Sequence, residues 1–201
     1  MVVLGVVEVR PCSLAELVER SGLSRATAHR LATALVHHGL LRRADGRFAL
    51  GARAVTLGRA ADATWPLASA AGPVLAELRD RTGESAQLWV RDGERRICLA
   101  SAESAHGLRT IVGTGDSLPL DQGSGGRVLT GSAGGAWVAS VEEREPGVAS
   151  VSAPVVDRAG AVVAAIGVSG PVERLTRDPG PVHGAAVQRA AARLAADAAL
   201  V

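Results

Sequence analysis

Two helix-capping signals separated by a single glycine constrain the amino-terminal quarter of the chain. Ser13-Leu14-Ala15-Glu16 has the form of a capping box. In it the serine hydroxyl accepts from a first-turn amide while the glutamate reaches back to the cap. Leu14, Leu17 and Val18 then share one helical face. Ser21-Gly22-Leu23 interrupts the pattern, with Gly22 suited to a left-handed residue, and Ser24 caps a second helix. Along that helix Ala28, Leu31 and Leu35 recur at a spacing of three and four, which predicts one buried stripe. Two short helices joined by a tight turn form a helix-turn-helix. Gly39 ends the second helix. Asp45-Gly46 then sits between alternating residues as a two-residue hairpin turn, which predicts a wing.

The exposed start of the second helix carries Arg25, Thr27, His29 and Arg30 instead of a glutamate-rich mixture, and the wing carries Arg42, Arg43 and Arg47. Charge is unevenly divided along the chain. Residues 1–60 hold nine Arg against four acids, and the remainder holds thirteen Arg against sixteen acids. A basic module of this kind fits a polyanion. A helix entering the major groove needs Arg for guanine, Ser and Thr for phosphates or bases, and a positive N-terminus. Ser24, Arg25, Thr27, His29, Arg30, Arg42, Arg43 and Arg47 are therefore the candidate contacts to double-stranded DNA. His29 is as suited to packing or touching a phosphate as to reading a base. The same fold could also serve only protein contacts.

The absences narrow the function classes. The 201 residues contain no Lys and no Tyr, so neither a Schiff-base lysine nor a Walker A loop is available. No HExxH, GxSxG or CxxC occurs. Cys12 and Cys98 are far apart and read as free thiols. His37 and His38 are adjacent and point to different sides of a helix, a poor ligand geometry. Ser150, Ser152 and Ser169 have no evident histidine base, so no catalytic residue, metal or cofactor is expected. No apolar run is long enough to span a membrane. The first residues lack the basic start and cleavage site of a signal peptide. A cytoplasmic, nucleoid-associated protein is expected.

Residues 52–64 read as a connecting helix, interrupted at Trp65-Pro66, and a second helix is predicted from Leu67 to Arg81. The period then changes to two. Strands are predicted at Gln87–Arg91 and Arg95–Ala100 around Asp92-Gly93, at Leu108–Val112, and at Val148–Val156 and Val162–Ser169. Gly123-Ser124-Gly125-Gly126 opens a short helix, and Val182–Ala199 closes the chain as another. Helices flanking an antiparallel sheet indicate an α+β domain. The expected division is 1–51 for the winged helix-turn-helix, 52–64 for the linker helix and 65–201 for the second domain. Strand parity gives Val148, Ser150 and Ser152 one face, and Ala165, Gly167 and Ser169 the matching face of the partner strand. Val162, Ala164, Ile166 and Val168 form the opposite, apolar face. The small polar face leaves room for a compact ligand, with Gly125 and Gly126 offering amides, or it packs against a helix or a partner.

The stretches GLSRATAHRLATAL, RFALG, TGESAQLWV, GVASVSAPVVD and AAIGVSGPVERL, in this order, resemble the IclR family of bacterial transcription regulators. TGESAQL, EREPGVASVSAPV and ERLTRDPG are similar to an actinomycete branch that regulates amino-acid metabolism, leucine biosynthesis included. The resemblance implies a winged helix-turn-helix, a linker helix and a GAF-like effector domain. It also implies homodimers or dimers of dimers on an operator, and a small, often carboxylate-bearing effector. On this sequence the effector contacts would be Gly125, Gly126, Val148, Ser150, Gly167 and Ser169. The family has several tens of residues between stretches like GRVLTG and WVASVEEREPG. Here only Ser132 to Ala136 stand between them, which implies a shortened effector domain.

Overall fold

The computed structural model describes residues 2–131 and 135–200, so Ser132 to Gly134, between GRVLTG and WVASVEEREPG, lie outside the described residues. The chain forms two compact units, residues 1–64 and 65–201.

The first unit runs α1 (Val2–Val9), α2 (Leu14–Ser21), α3 (Arg25–His37), β1 (Leu41–Ala44), β2 (Arg47–Leu50) and α4 (Ala52–Thr64). The caps act as the sequence predicts. Ser13 N donates to Glu16 Oε2 at 2.7 Å and Glu16 N to Ser13 Oγ at 3.3 Å. Gly22 is left-handed at φ 68°, and Ser24 Oγ accepts from Thr27 N at 3.3 Å. Asp45 and Gly46 both have positive φ, 50° and 72°, as a two-residue turn matched to strand twist requires. Cys12 adds a bridge to Phe48, with paired backbone bonds of 3.0 and 2.8 Å.

The core of this unit joins Val3, Val6, Val7, Cys12, Leu17, Ala28, Ala32, Leu41 and Phe48. Here the structure corrects the predicted stripe. Ala28 is buried, but its partner in the core is Ala32; Leu35 is only half-buried, and Leu31 is 41% exposed. The neighbouring elements approach α3 so closely that alanines fill the contact, and the larger Leu31 is left at its margin.

The second unit runs α5 (Pro66–Thr82), β3 (Ser85–Asp92), β4 (Arg95–Ala102), β5 (Ser117–Pro119), α6 (Gly123–Leu129), β6 (Val138–Val141), β7 (Val148–Val156), β8 (Val162–Pro171), α7 (Val172–Leu175) and α8 (Pro179–Asp197). The six strands make one antiparallel sheet in the order β5-β4-β3-β8-β7-β6. One face meets α5 and α8 over Leu75, Leu78, Leu88, Val151, Ile166 and Leu194. The other face packs α6 through Trp89, Cys98, Val128 and Ala165. The α+β architecture follows as expected.

Three details differ from the sequence reading. Residues 108–112 are not a strand. Leu108 is 71% and Ile111 66% exposed, and the edge pairing with β4 is made by β5 instead. Val162 is exposed, because a bulge between Val155 and Val156 shifts the β7–β8 register and turns Val163 inward in its place. The strand β6 and the short α7 lack a run long enough to stand out by periodicity. At the sheet edge, Gly180 and Gly184 of α8 form a notch filled by the Trp137 ring; a Cβ at either glycine would collide with that ring.

Candidate nucleic-acid interface and effector cleft

The N-cap Ser24 organises the start of α3. Its hydroxyl donates to Thr27 Oγ1 at 3.0 Å as well as accepting from Thr27 N. That leaves Thr27 half-buried and oriented from below. Arg25, His29 and Arg30 project from the same end into solvent. Among the described residues neither Arg25 nor Arg30 has a hydrogen-bond or ion-pair partner. Thr33 extends this exposed surface one turn further; its position after His29 and Arg30 at helical spacing was a legible signal that the sequence reading passed over.

The wing arginines divide into different roles. Arg42 is exposed, and Arg43 is exposed above the Phe48 ring at 5.0 Å. Arg47 is half-exposed but tied down. Its Nη2 donates to both Glu16 oxygens at 2.8 and 2.7 Å and to the Pro11 carbonyl at 3.1 Å. Glu16 thus closes the capping box and ties the wing to α2. The Ser13 amide first and the Arg47 guanidinium second hold the Glu16 carboxyl down to about 2, from an ordinary 4.5.

Two outcomes follow from this tie. Arg47→Ala lowers the melting temperature of the first unit by a few degrees, about 2–5 °C, as for an exposed ion pair. Because the folded carboxyl titrates below its ordinary range, its stabilisation is full above about 4.5 and fades as pH falls toward about 2. The melting difference between Glu16→Gln and the parent therefore closes over that acid window. A difference that persists at its bottom contradicts the charge assignment.

In the second unit a cleft lies between α6 and the sheet, bordered by Gln87, Trp89, Arg96, Ser124, Arg144 and Ser152 among others. Of the six positions expected from the sequence, Gly125, Val148, Ser150 and Ser169 line it. Gly126 and Gly167 do not. Gly126 backs onto the Leu120 carbonyl and the Arg96 guanidinium, and Gly167 onto the Val151 carbonyl and Ser152, so each is a glycine for close packing. The hydroxyls form a chain. Ser124 Oγ lies 2.8 Å from both Ser150 Oγ and Ser152 Oγ, and Ser169 Oγ donates to Gln87 Oε1 at 3.1 Å. The first amide of α6, at Gly123, already donates to Glu143 Oε2 at 3.1 Å. The free volume is about 30 Å³, room for two or so water-sized groups.

Arg96 is the residue that sequence reasoning missed. It is 4% exposed, bonds the Gln122 carbonyl, and lies over the Trp89 ring at 5.0 Å. Its Nε has no partner, and neither has Gln87 Nε2. Burial first, and the Arg144 charge second, lower its pKa to about 10, so it remains a cation at neutral pH. Parity would have found it. Ala86, Leu88 and Ile97 face the α5/α8 core, which places Gln87, Trp89 and Arg96 on the cleft side.

Among the described residues no group of three or more His, Cys, Asp or Glu is arranged to hold a metal ion. No helix there is long and apolar enough to cross a membrane.

A winged helix-turn-helix followed by an α+β unit is the architecture of a DNA-binding transcriptional regulator. The IclR helix-turn-helix domain matches residues 8–45, and the C-terminal domain of the bacterial transcriptional regulator IclR matches residues 61–134 and 132–196. The chain belongs to the IclR family of DNA-binding transcriptional regulators. It is 28% identical over 208 residues to a glycerol operon regulatory protein of Streptomyces griseus, covering 86% of this chain and 82% of that one. It is 24% identical over 219 residues to the transcriptional repressor IclR of Escherichia coli K12, covering 89% and 80%. The crystal structure of an IclR homologue complexed with 4-hydroxybenzoate, from Microbacterium hydrocarbonoxydans, shares the fold. Its TM-score is 0.81 at 20% identity, covering 100% of this chain and 97% of that one.

Proposed function

We propose that a small carboxylate metabolite bound in the α6 cleft sets the affinity of this regulator for its operator. The observation that carries this reading is the buried Arg96 among the cleft hydroxyls, with no carboxylate partner and its Nε unbonded among the described residues. Donors of this kind suit an anionic oxygen ligand. A family relative solved with 4-hydroxybenzoate is consistent with a carboxylate. Of the expected contacts, Gly125, Val148, Ser150 and Ser169 face the ligand, while Gly126 and Gly167 allow the close packing behind them. Ser24, Arg25, Thr27, His29, Arg30, Arg42 and Arg43 engage DNA, and Arg47 supports the wing.

The protein acts as a homodimer or dimer of dimers in the cytoplasm, on the nucleoid. The resemblance of TGESAQL, EREPGVASVSAPV and ERLTRDPG to the amino-acid-metabolism branch supports biosynthetic genes as targets. The two-piece match of the C-terminal domain, meeting at 132–134, supports a shortened effector domain. Domain roles divide as 1–51 for reading, 52–64 for linking and 65–201 for sensing.

An effector alters operator binding only through its differential affinity for the two arrangements of the dimer, typically 5- to 150-fold. Gel-shift titration with a panel of keto, hydroxy and amino acids tests this. One acid changes operator affinity by at least about fivefold, and Ser150→Ala with Ser169→Ala removes the response. A panel that leaves both affinity and melting temperature untouched overturns the reading. It would favour the alternative in which the second domain only oligomerises, a reading to which the small free volume of the cleft lends support.

A further inference from the structure

We propose that the cleft takes a compact dianion, a short dicarboxylate, with one charge held by Arg96 and the other by Arg144. This rests on the reading of the cleft as the effector site and specifies what that site selects.

Both guanidinium groups border the same cleft. Arg96 is buried and has no carboxylate within ion-pair distance among the described residues, although burial of an uncompensated charge is costly. Arg144 is half-buried, and its ion pair is a long one, 3.7 Å to the outward-facing Glu145. The two cations repel each other, which contributes to the depressed basicity of Arg96. Of the nearby acids, Glu143 is committed to Arg127 and to the Gly123 amide, at 3.0 and 3.1 Å. Asp121 favours the Arg96 cation from a distance without bonding it. A monoanion would neutralise one guanidinium and leave the second in place. A dianion matches both.

The unpartnered polar atoms agree in kind. Gln87 Nε2 and Arg96 Nε are both donors, so the missing partner is rich in acceptors. The narrow free volume argues for a short ligand. Arg144 lines the cleft with 22% of its side chain exposed, so a dicarboxylate, larger than the present free volume, enters only if that side chain gives way.

Malonate and propionate form a matched pair of similar size that differ by one charge. Calorimetric titration of the full chain in low-salt buffer gives malonate the tighter binding by roughly tenfold or more, the worth of one charge-assisted contact. Arg144→Gln reduces malonate to the level of propionate, and Arg144→Lys, which keeps the charge, retains the preference. Arg96→Gln loses both acids; should that variant fail to fold, the Arg144 pair still decides. Equal binding of the two acids by the parent protein, or a malonate preference that survives Arg144→Gln, overturns the dianion assignment while the effector reading stands. If neither acid nor any other carboxylate binds, both fall together.

Discussion

Arg25→Ala combined with Arg30→Ala reduces operator affinity by about 30-fold to more than 10,000-fold in a gel shift at fixed salt, since each loses about 1–3 kcal/mol if it contacts a base. The magnitude follows from what the two side chains lack inside the molecule. Both are exposed at the start of α3, and among the described residues neither bonds anything. Truncating them therefore costs the fold little, so a loss of binding reports on DNA directly. Arg42→Ala serves as the contrast. A phosphate contact on the wing is lost equally from specific and random duplexes, and the salt slope falls by about one. Full affinity in the double variant would mean that α3 does not enter the groove. A loss of equal size on random DNA would reassign both arginines to the backbone.

Arg174→Ala destabilises the second unit by about 3 kcal/mol in denaturant unfolding, the scale for breaking a largely buried ion pair. Glu84 is 2% exposed, and Arg174 spans both its oxygens, with Nη2 to Oε2 at 2.9 Å. The same nitrogen reaches the Leu108 carbonyl at 2.8 Å, anchoring the irregular segment that follows β4. Removing the guanidinium leaves a carboxylate facing the backbone at Gly170, where no Cβ could fit. The diagnostic is compensation. Glu84→Gln in the Arg174→Ala background recovers part of the stability, because a neutral amide is cheaper to bury than a lone charge. If the double variant is as unstable as the sum of the two single changes, the pair is not coupled and the assignment fails.

The parts of the fold legible in the sequence were those set by local chemistry. Ser13, Glu16, Gly22, Ser24 and the Asp45-Gly46 turn each specify their own backbone, and each does so in the structure. What escaped depended on which neighbour arrives from far away in the chain. Leu31 outranks Ala32 in hydrophobicity, yet Ala32 is the one covered, since the space beside α3 admits only a methyl group. Leu108–Val112 has the composition of a strand, but the β4 edge is occupied by Ser117–Pro119. At Val162 a bulge broke the parity on which the face assignment relied. In the cleft, parity on β7 and β8 put Val148, Ser150 and Ser169 on the face that borders the opening. It could not separate glycines that leave space for a ligand from glycines that leave space for the protein itself, such as Gly126 and Gly167. Arg96 was overlooked because an arginine in a strand reads as surface.

The seat that Gly180 and Gly184 make for Trp137 has a consequence for where this chain tolerates a change of length. It fastens the edge strand β6 to the closing helix immediately after the connection from α6. A chain pinned there can gain or lose residues upstream without dragging the sheet with it. The indole works as a rivet that holds the sheet edge and the closing helix on one frame.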